Sequence, residues 1–292
     1  MQPSVLRLDN VRKAFGNKVV LDNLSLDVPA GCVVGLLGKN GTGKTTMIKV
    51  ALGLLKPQAG EVTVFGEPAW TLSGAAKARL GYVPQTPVLY PWMRVRQIVD
   101  YQASFYPHWN DALVDRLLRE WELDPTAKVA PLSVGQQQKL SILLAIGHEP
   151  ELLVLDEPAA ALDPEARRSF VSTVLDLVGK GRTVLFSTHI TSDLERVAER
   201  IAILQHGRIV RYEELDQLKE RVKRLHITSH APLPAEFAVP GALRQERNGQ
   251  AAVVTVQDVS PEMVRNLEQR WSAAVDVEDL NLEDIFLEVT RA

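Results

Sequence analysis

The apolar run Cys32-Val33-Val34-Gly35-Leu36-Leu37 passes without a linker into Gly38-Lys39-Asn40-Gly41-Thr42-Gly43-Lys44-Thr45. A helix-like segment, Thr46-Met47-Ile48-Lys49-Val50-Ala51-Leu52, follows at once. A short continuous apolar run predicts a strand buried on both faces, which belongs in a parallel sheet covered by helices. The segment after it fits G-x-x-x-x-G-K-[ST] in the required setting of strand before and helix after. Its glycines allow a tight backbone whose successive N–H groups converge on phosphate oxygens, and the helix start adds its positive dipole end. Lys44 is placed to neutralise the β- and γ-phosphates, and the Thr45 hydroxyl to coordinate Mg²⁺. Gly38, Asn40, Gly41, Gly43, Lys44, Thr45 and Thr46 are therefore expected around a nucleoside triphosphate.

A second segment supplies the other half of such a site. Leu152-Leu153-Val154-Leu155 is again apolar and delivers Asp156 and Glu157 at its C-terminal end, where α/β sheets hold their ligands. Asp156 is the expected partner of Mg²⁺, and Glu157 the candidate to polarise the attacking water. By itself an Asp-Glu pair ending a strand is often only a solvated strand end. The phosphate loop gives it a role. A helical pattern over residues 164–178 and a further apolar run at 183–186 make a strand–helix–strand unit, hence a parallel sheet. Strands are also expected from residue 5, over 19–28, 60–65 and 81–83, and at 201–204, the last ending in a turn at Gln205-His206-Gly207. The texture is helical from 87 to about 148, with an amphipathic stretch at 111–121.

The order of the remaining short motifs resembles that of the ABC ATPases over about residues 4–215. Leu132-Ser133-Val134-Gly135-Gln136 is similar to the family's LSGGQ signature, and Gln85, after Gly81-Tyr82-Val83-Pro84, to its Q-loop glutamine. Ala161-Leu162-Asp163-Pro164 looks like its D-loop, and Ser187-Thr188-His189 like its switch histidine. Phe15 sits where the family carries an aromatic that stacks on adenine. The resemblance implies that ATP and Mg²⁺ are bound, with Glu157 as base, His189 supporting the γ-phosphate, and Gln85 near both water and metal. It also implies two cassettes paired head to tail, as a homodimer or with a sister chain. Ser133, Gly135, Gln136 and Asp163 would then act on the partner's nucleotide. Ser133 and Gly135 also suit a plain helix cap, since the same exposed N–H groups serve either use. Val134 departs from the signature by replacing its first glycine, and Ala159-Ala160-Ala161 replaces the usual stretch before the D-loop.

The expected fold class is accordingly α/β: a P-loop NTPase core of the ABC ATPase type with an antiparallel β subdomain and a helical signature subdomain at about 87–148. The cassette is expected over 1–218 and a small α+β C-terminal appendage over 219–292. Asn248-Gly249 between two strand-like runs is a hairpin signal in that appendage, and Ser260-Pro261-Glu262 opens a helix.

The net charge of -3 gives no basic field, so nucleic acid is not an expected partner. The single cysteine, Cys32, lies in an apolar run and reads as a core thiol. The N-terminus lacks the basic head and apolar stretch of a signal peptide, and no run approaches the ~18 apolar residues of a spanning helix. The resemblance implies a place at the cytoplasmic face of a bacterial membrane, held by an integral-membrane permease. Leu89-Tyr90-Pro91-Trp92-Met93 either grips that permease or packs inside the helical subdomain. The appendage and its Leu282-Glu283-Asp284-Ile285-Phe286 resemble exporters of the drug, peptide or antibiotic-resistance type. An importer, or a soluble ABC ATPase acting on nucleic acid or ribosomes, is the alternative.

Overall fold

The computed structural model describes residues 3–160 and 162–291; Ala161 of the D-loop-like stretch lies outside them. The chain divides into two compact units, one ending at Tyr212 and the other starting at Glu213. The division falls a few residues before the expected break, because the short helix after it packs on the first strand of the second unit.

In the first unit, β1 (Ser4–Phe15) and β2 (Lys18–Pro29) form an antiparallel hairpin. Strand β3 (Val33–Leu37) is wholly buried and leads through the phosphate loop into α1 (Lys44–Ala51). Strands β4 (Ala59–Val64) and β5 (Glu67–Pro68) return to the hairpin, giving a sheet of order β2-β1-β4-β5. A 3-10 turn at Ala69–Thr71, helix α2 (Gly74–Lys77) and strand β6 (Leu80–Val83) follow. The alternating burial of β1 and β2 puts Leu6, Leu8, Leu21, Leu24 and Leu26 into one core with Met47 and Ile48 of α1. That shared core fixes α1, and with it the phosphate loop, between two sheets.

The expected helical region contains α3 (Val95–Ala103), α4 (Asp111–Glu120) and α5 (Val134–Ile146). Asn110 caps α4 by accepting from Leu113 N at 2.9 Å, and one face of α4 buries Val114, Leu117 and Leu118. Strand β7 (Leu152–Asp156), helix α6 (Pro164–Gly179), strand β8 (Thr183–Thr188) and helix α7 (Thr191–Val197) complete the βαβ unit. Strands β9 (Arg200–Gln205) and β10 (Arg208–Glu214) close a six-stranded sheet of order β10-β9-β3-β8-β7-β6. The pairs β9-β3, β3-β8, β8-β7 and β7-β6 are all parallel. Every residue of β3, β7 and β8 is buried, as continuous apolar runs require. Cys32 is buried and forms no disulfide.

The second unit holds α8 (Leu215–Arg221), β11 (Val222–Ser229), β12 (Ala242–Asn248), β13 (Ala251–Gln257), α9 (Pro261–Trp271), β14 (Ala273–Asp279) and α10 (Leu282–Arg291). Its strands form an antiparallel sheet of order β12-β13-β11-β14. Gly249-Gln250 make the β12–β13 turn one residue later than expected, with Asn248 still paired to Ala251, and Ser260 caps α9 by accepting from Met263 N at 3.1 Å. Leu225, Ile227, Val254, Val256 and Leu267 form its own core.

Candidate functional site

Two parallel strands end at the same edge of the sheet, β3 at the phosphate loop and β7 at Asp156-Glu157, with β8 between them. Gly43 begins α1 with φ of 109°, a backbone conformation that favours glycine, and an added Cβ would lie 3.1 Å from Val20 O. Lys44, the next residue, is 6% exposed. Its Nζ donates to Gly38 O at 2.6 Å and to Lys39 O at 3.3 Å, and lies 3.1 Å from Glu157 Oε1. The loop thus folds around its own lysine and holds the cation against the acidic strand end.

Glu157 is held from three sides. Its φ is +49°, and its N–H donates to Ser187 O at 3.0 Å and Ser187 Oγ at 3.2 Å. Its Oε2 accepts from His189 Nδ1 at 2.7 Å and faces His189 N at 3.4 Å. The carboxylate therefore sits between Lys44 and His189 while the side chain is 4% exposed. With Nδ1 engaged, the other nitrogen of the His189 ring is left for a ligand.

Asp156 is fully buried. Burial pushes its carboxyl pKa above the ordinary value, and the hydroxyls of Thr45 and Ser187 work against that rise. Ser187 Oγ donates to Oδ1 at 2.9 Å, while Oδ2 has no hydrogen-bond partner among the described residues. A buried carboxylate oxygen without a partner, beside a hydroxyl, is a donor set suited to a hard divalent cation.

These groups open onto a cavity of about 840 Å³. Its wall includes Phe15, Asn40, Gly41, Gly43, Lys44, Thr45, Thr46, Gln85 and Glu157, so the structure gathers residues predicted from four separate stretches of sequence. Gly38 contributes the carbonyl under Lys44, and Asp156 and His189 lie behind the wall, linked to Glu157 by Ser187 Oγ and by His189 Nδ1 respectively. Phe15 is 51% exposed, its ring free to take a partner on the cavity side, with Lys13 Nζ 5.4 Å from its centroid.

Ser133, Gly135, Gln136 and Asp163 do not line this cavity. Ser133 caps α5 by a reciprocal box: its Oγ accepts from Gln136 N at 3.2 Å, and Gln136 Oε1 accepts from Ser133 N at 3.0 Å. Val134 beside it is 65% exposed, so the departure from the signature lies on the surface. Asp163 accepts from Ala166 N at 2.8 Å and Glu165 N at 3.0 Å at the start of α6. The Ala166 bond leads in holding its carboxyl pKa below the usual value.

Three features were not read from sequence. Ser187 joins Asp156 to Glu157, though only its membership of the Ser-Thr-His triplet was visible. Lys18 and Val20 line the cavity from the start of β2, and His206-Gly207 from the β9–β10 turn; the turn was expected, its place in the wall was not. The alternatives for Tyr90 and Trp92 are separated by exposure. Trp92 is 69% exposed and Tyr90 40%, in a surface series with Tyr101 and Phe105 whose successive ring centroids lie 5.3, 5.6 and 5.0 Å apart.

Residues 21–160 match the ABC transporter family. The chain is 34% identical to Nod factor export ATP-binding protein I of Burkholderia thailandensis, over 99% of this chain and 98% of that protein. It thus belongs to the ABC transporter family, as an ATP-binding and ATP-hydrolysing subunit. A solved ATP-binding subunit of an ABC transporter superposes with a TM-score of 0.69 at 30% identity, covering 74% of this chain and 92% of that one. The dimeric cassette MJ0796, in a post-hydrolysis state bound to ADP and Pi, gives 0.65 at 27% identity, covering 72% and 98%.

Proposed function

We propose that the chain drives export: two copies, or one copy and a sister cassette, close head to tail on ATP at the cytoplasmic face of the membrane and move a separate integral-membrane permease. The observation that carries the chemical part is the Glu157 carboxylate, desolvated and set between Lys44 and His189. Lys44 exchanges its loop carbonyls for the β- and γ-phosphates. Glu157 takes a proton from the water that attacks the γ-phosphorus, and His189 orients Glu157 through Nδ1 while its other nitrogen faces the γ-phosphate. The bond to the β–γ bridging oxygen breaks, giving ADP and phosphate. Thr45, Asp156 and Gln85 are the residues to hold Mg²⁺, which when bound supplies charge neutralisation at the phosphates.

Ser133, Gly135, Gln136 and Asp163 have no place in the cavity of their own chain, and each stands at or next to a helix start, where free N–H groups suit an anion. In the proposal they complete the partner's site, and closure of the pair is the mechanical step. Export as the direction follows the name of the Burkholderia relative. No helix among the described residues is long and apolar enough to cross a membrane, and the exposed series Tyr90, Trp92, Tyr101 and Phe105 supplies an apolar surface for a permease helix.

Mixing two inactive variants tests the composite site. Lys44→Ala removes the phosphate lysine, and Ser133→Arg blocks the signature. Mixed dimers contain one intact site, so the mixture should recover ATPase activity that neither variant has alone. A mixture as inactive as its parts, beside an active wild type, would show that Ser133 does not act in trans.

A further inference from the structure

The cavity wall contains a histidine that the reading above leaves unused. His206 and Gly207 form the two-residue turn between β9 and β10, and both have positive φ, 48° and 75°. That pair of angles marks a type I′ hairpin turn, in which Asn-Gly is the favoured sequence. Histidine tolerates the left-handed region better than most residues, yet it is a poorer turn former than asparagine, so the turn alone does not call for it.

The turn is fastened where it can reach a nucleotide. Gly207 O accepts from Asp22 N at 3.0 Å, and Arg208 grips Asp22 Oδ2 through Nε at 3.0 Å and Nη2 at 2.5 Å. A Cβ on Gly207 would lie 2.4 Å from Val20 O, and one on Gly43 would lie 3.1 Å from the same oxygen. The turn and the phosphate loop therefore press on a single carbonyl of β2. This places His206 beside the phosphate loop, on the wall it shares with Phe15, Lys18 and Val20. The residue is exposed and lines the cavity. Among the described residues, none forms a hydrogen bond with its ring.

We propose that His206 contacts the nucleoside part of ATP, its ribose and base, and so helps to set the affinity for nucleotide over bare phosphate chains. This rests on the reading of the Phe15 side of the cavity as the nucleoside end. An imidazole offers one donor and one acceptor to ribose hydroxyls or base nitrogens, and a flat face beside the base held by Phe15. A single neutral hydrogen bond of this kind changes affinity by about three- to tenfold.

The test is calorimetric titration of the full chain with MgATP and, separately, with magnesium tripolyphosphate. His206→Asn is the informative variant because asparagine suits the turn at least as well, so its thermal melting without ligand should match wild type. It should bind MgATP about three- to tenfold more weakly and tripolyphosphate unchanged. Wild-type affinity for MgATP, or an equal loss for both ligands, would overturn the proposal. Phe15→Ala separates the two levels of the argument. If it weakens MgATP alone while His206→Asn does nothing, only the role of His206 falls. If Phe15→Ala leaves MgATP binding intact, the nucleoside end itself is misplaced and both readings fall.

Discussion

Replacing Glu157 by glutamine keeps the size of the side chain and removes its charge, and two separable effects follow. The first is catalytic. A positioned general base contributes about 10²–10⁴-fold, equivalent to about 3–5 kcal/mol of barrier, so kcat should fall by at least about a hundredfold while ATP still binds. The second concerns stability. Lys44 and Glu157 face each other at 3.1 Å with side chains 6% and 4% exposed, and breaking a buried pair by removing one partner costs about 3–5 kcal/mol. Lys44 keeps the carbonyls of Gly38 and Lys39, which puts the cost at the lower end, about 3 kcal/mol. At about 2–4 °C per kcal/mol for a unit of this size, Tm should drop by about 6–12 °C. Phosphates give Lys44 new partners, so saturating MgATP should narrow the gap between Glu157→Gln and wild type. Steady-state ATPase rates and thermal melts with and without MgATP measure both effects. A fall in kcat of less than about tenfold would refute the role as base. An unchanged Tm would refute the importance of the buried pair.

Other consequences follow from single residues. Trp92→Glu, at a position 69% exposed, should shift stability by no more than about 0.5 kcal/mol and leave ATP binding intact while abolishing transport; collapse of nucleotide binding would mean that the residue is structural. Gly43→Ala forces a side chain into φ of 109° against Val20 O, with strain of about 1–3 kcal/mol, and should weaken MgATP binding at least about tenfold in a titration. His148 is stacked on Tyr106 at 3.9 Å with Nε2 donating to Leu80 O at 3.1 Å, and burial lowers its pKa from 6.5 to about 4. Because the folded pKa is depressed, its contribution is present above about pH 6.5 and is lost as pH falls toward 4. His148→Phe should therefore gain about 2 kcal/mol relative to wild type between pH 7 and pH 4.5, read from urea unfolding at both values. An identical difference at the two pH values would contradict the buried neutral imidazole.

The catalytic half of the site was legible because its signals are local. A buried strand, a glycine loop and a lysine occupy consecutive positions, and Asp156-Glu157 end another apolar run. The β12–β13 hairpin and α9 were legible for the same reason, from Asn248-Gly249 and Ser260-Pro261. Strand β14 was not. Its Asp276, Glu278 and Asp279 are poor strand formers, and the segment is stabilised by residues some fifty positions earlier in the chain. Lys223 reaches Asp279 at 2.6 Å, and His226 and Arg224 reach Glu278 at 2.7 and 3.4 Å. Cross-strand pairs of opposite charge outweigh the local preference. His206 was hidden differently, since its turn was visible in sequence but the closeness of that turn to Val20 and Gly43 exists only in the folded chain. The exposure of Trp92 was likewise undecidable from its neighbours, because an aromatic near a helical segment packs inward as readily as outward.

The measurement that bears most directly on the whole account is recovery of the tagged full chain from native membranes in mild detergent, wild type beside Trp92→Glu, with identification of what accompanies each. Wild type should bring down a stoichiometric multi-helix membrane protein and Trp92→Glu should lose it, while both forms bind ATP. Recovery of wild type as a soluble ATPase, free of any membrane protein or bound to ribosomes or DNA, would contradict it.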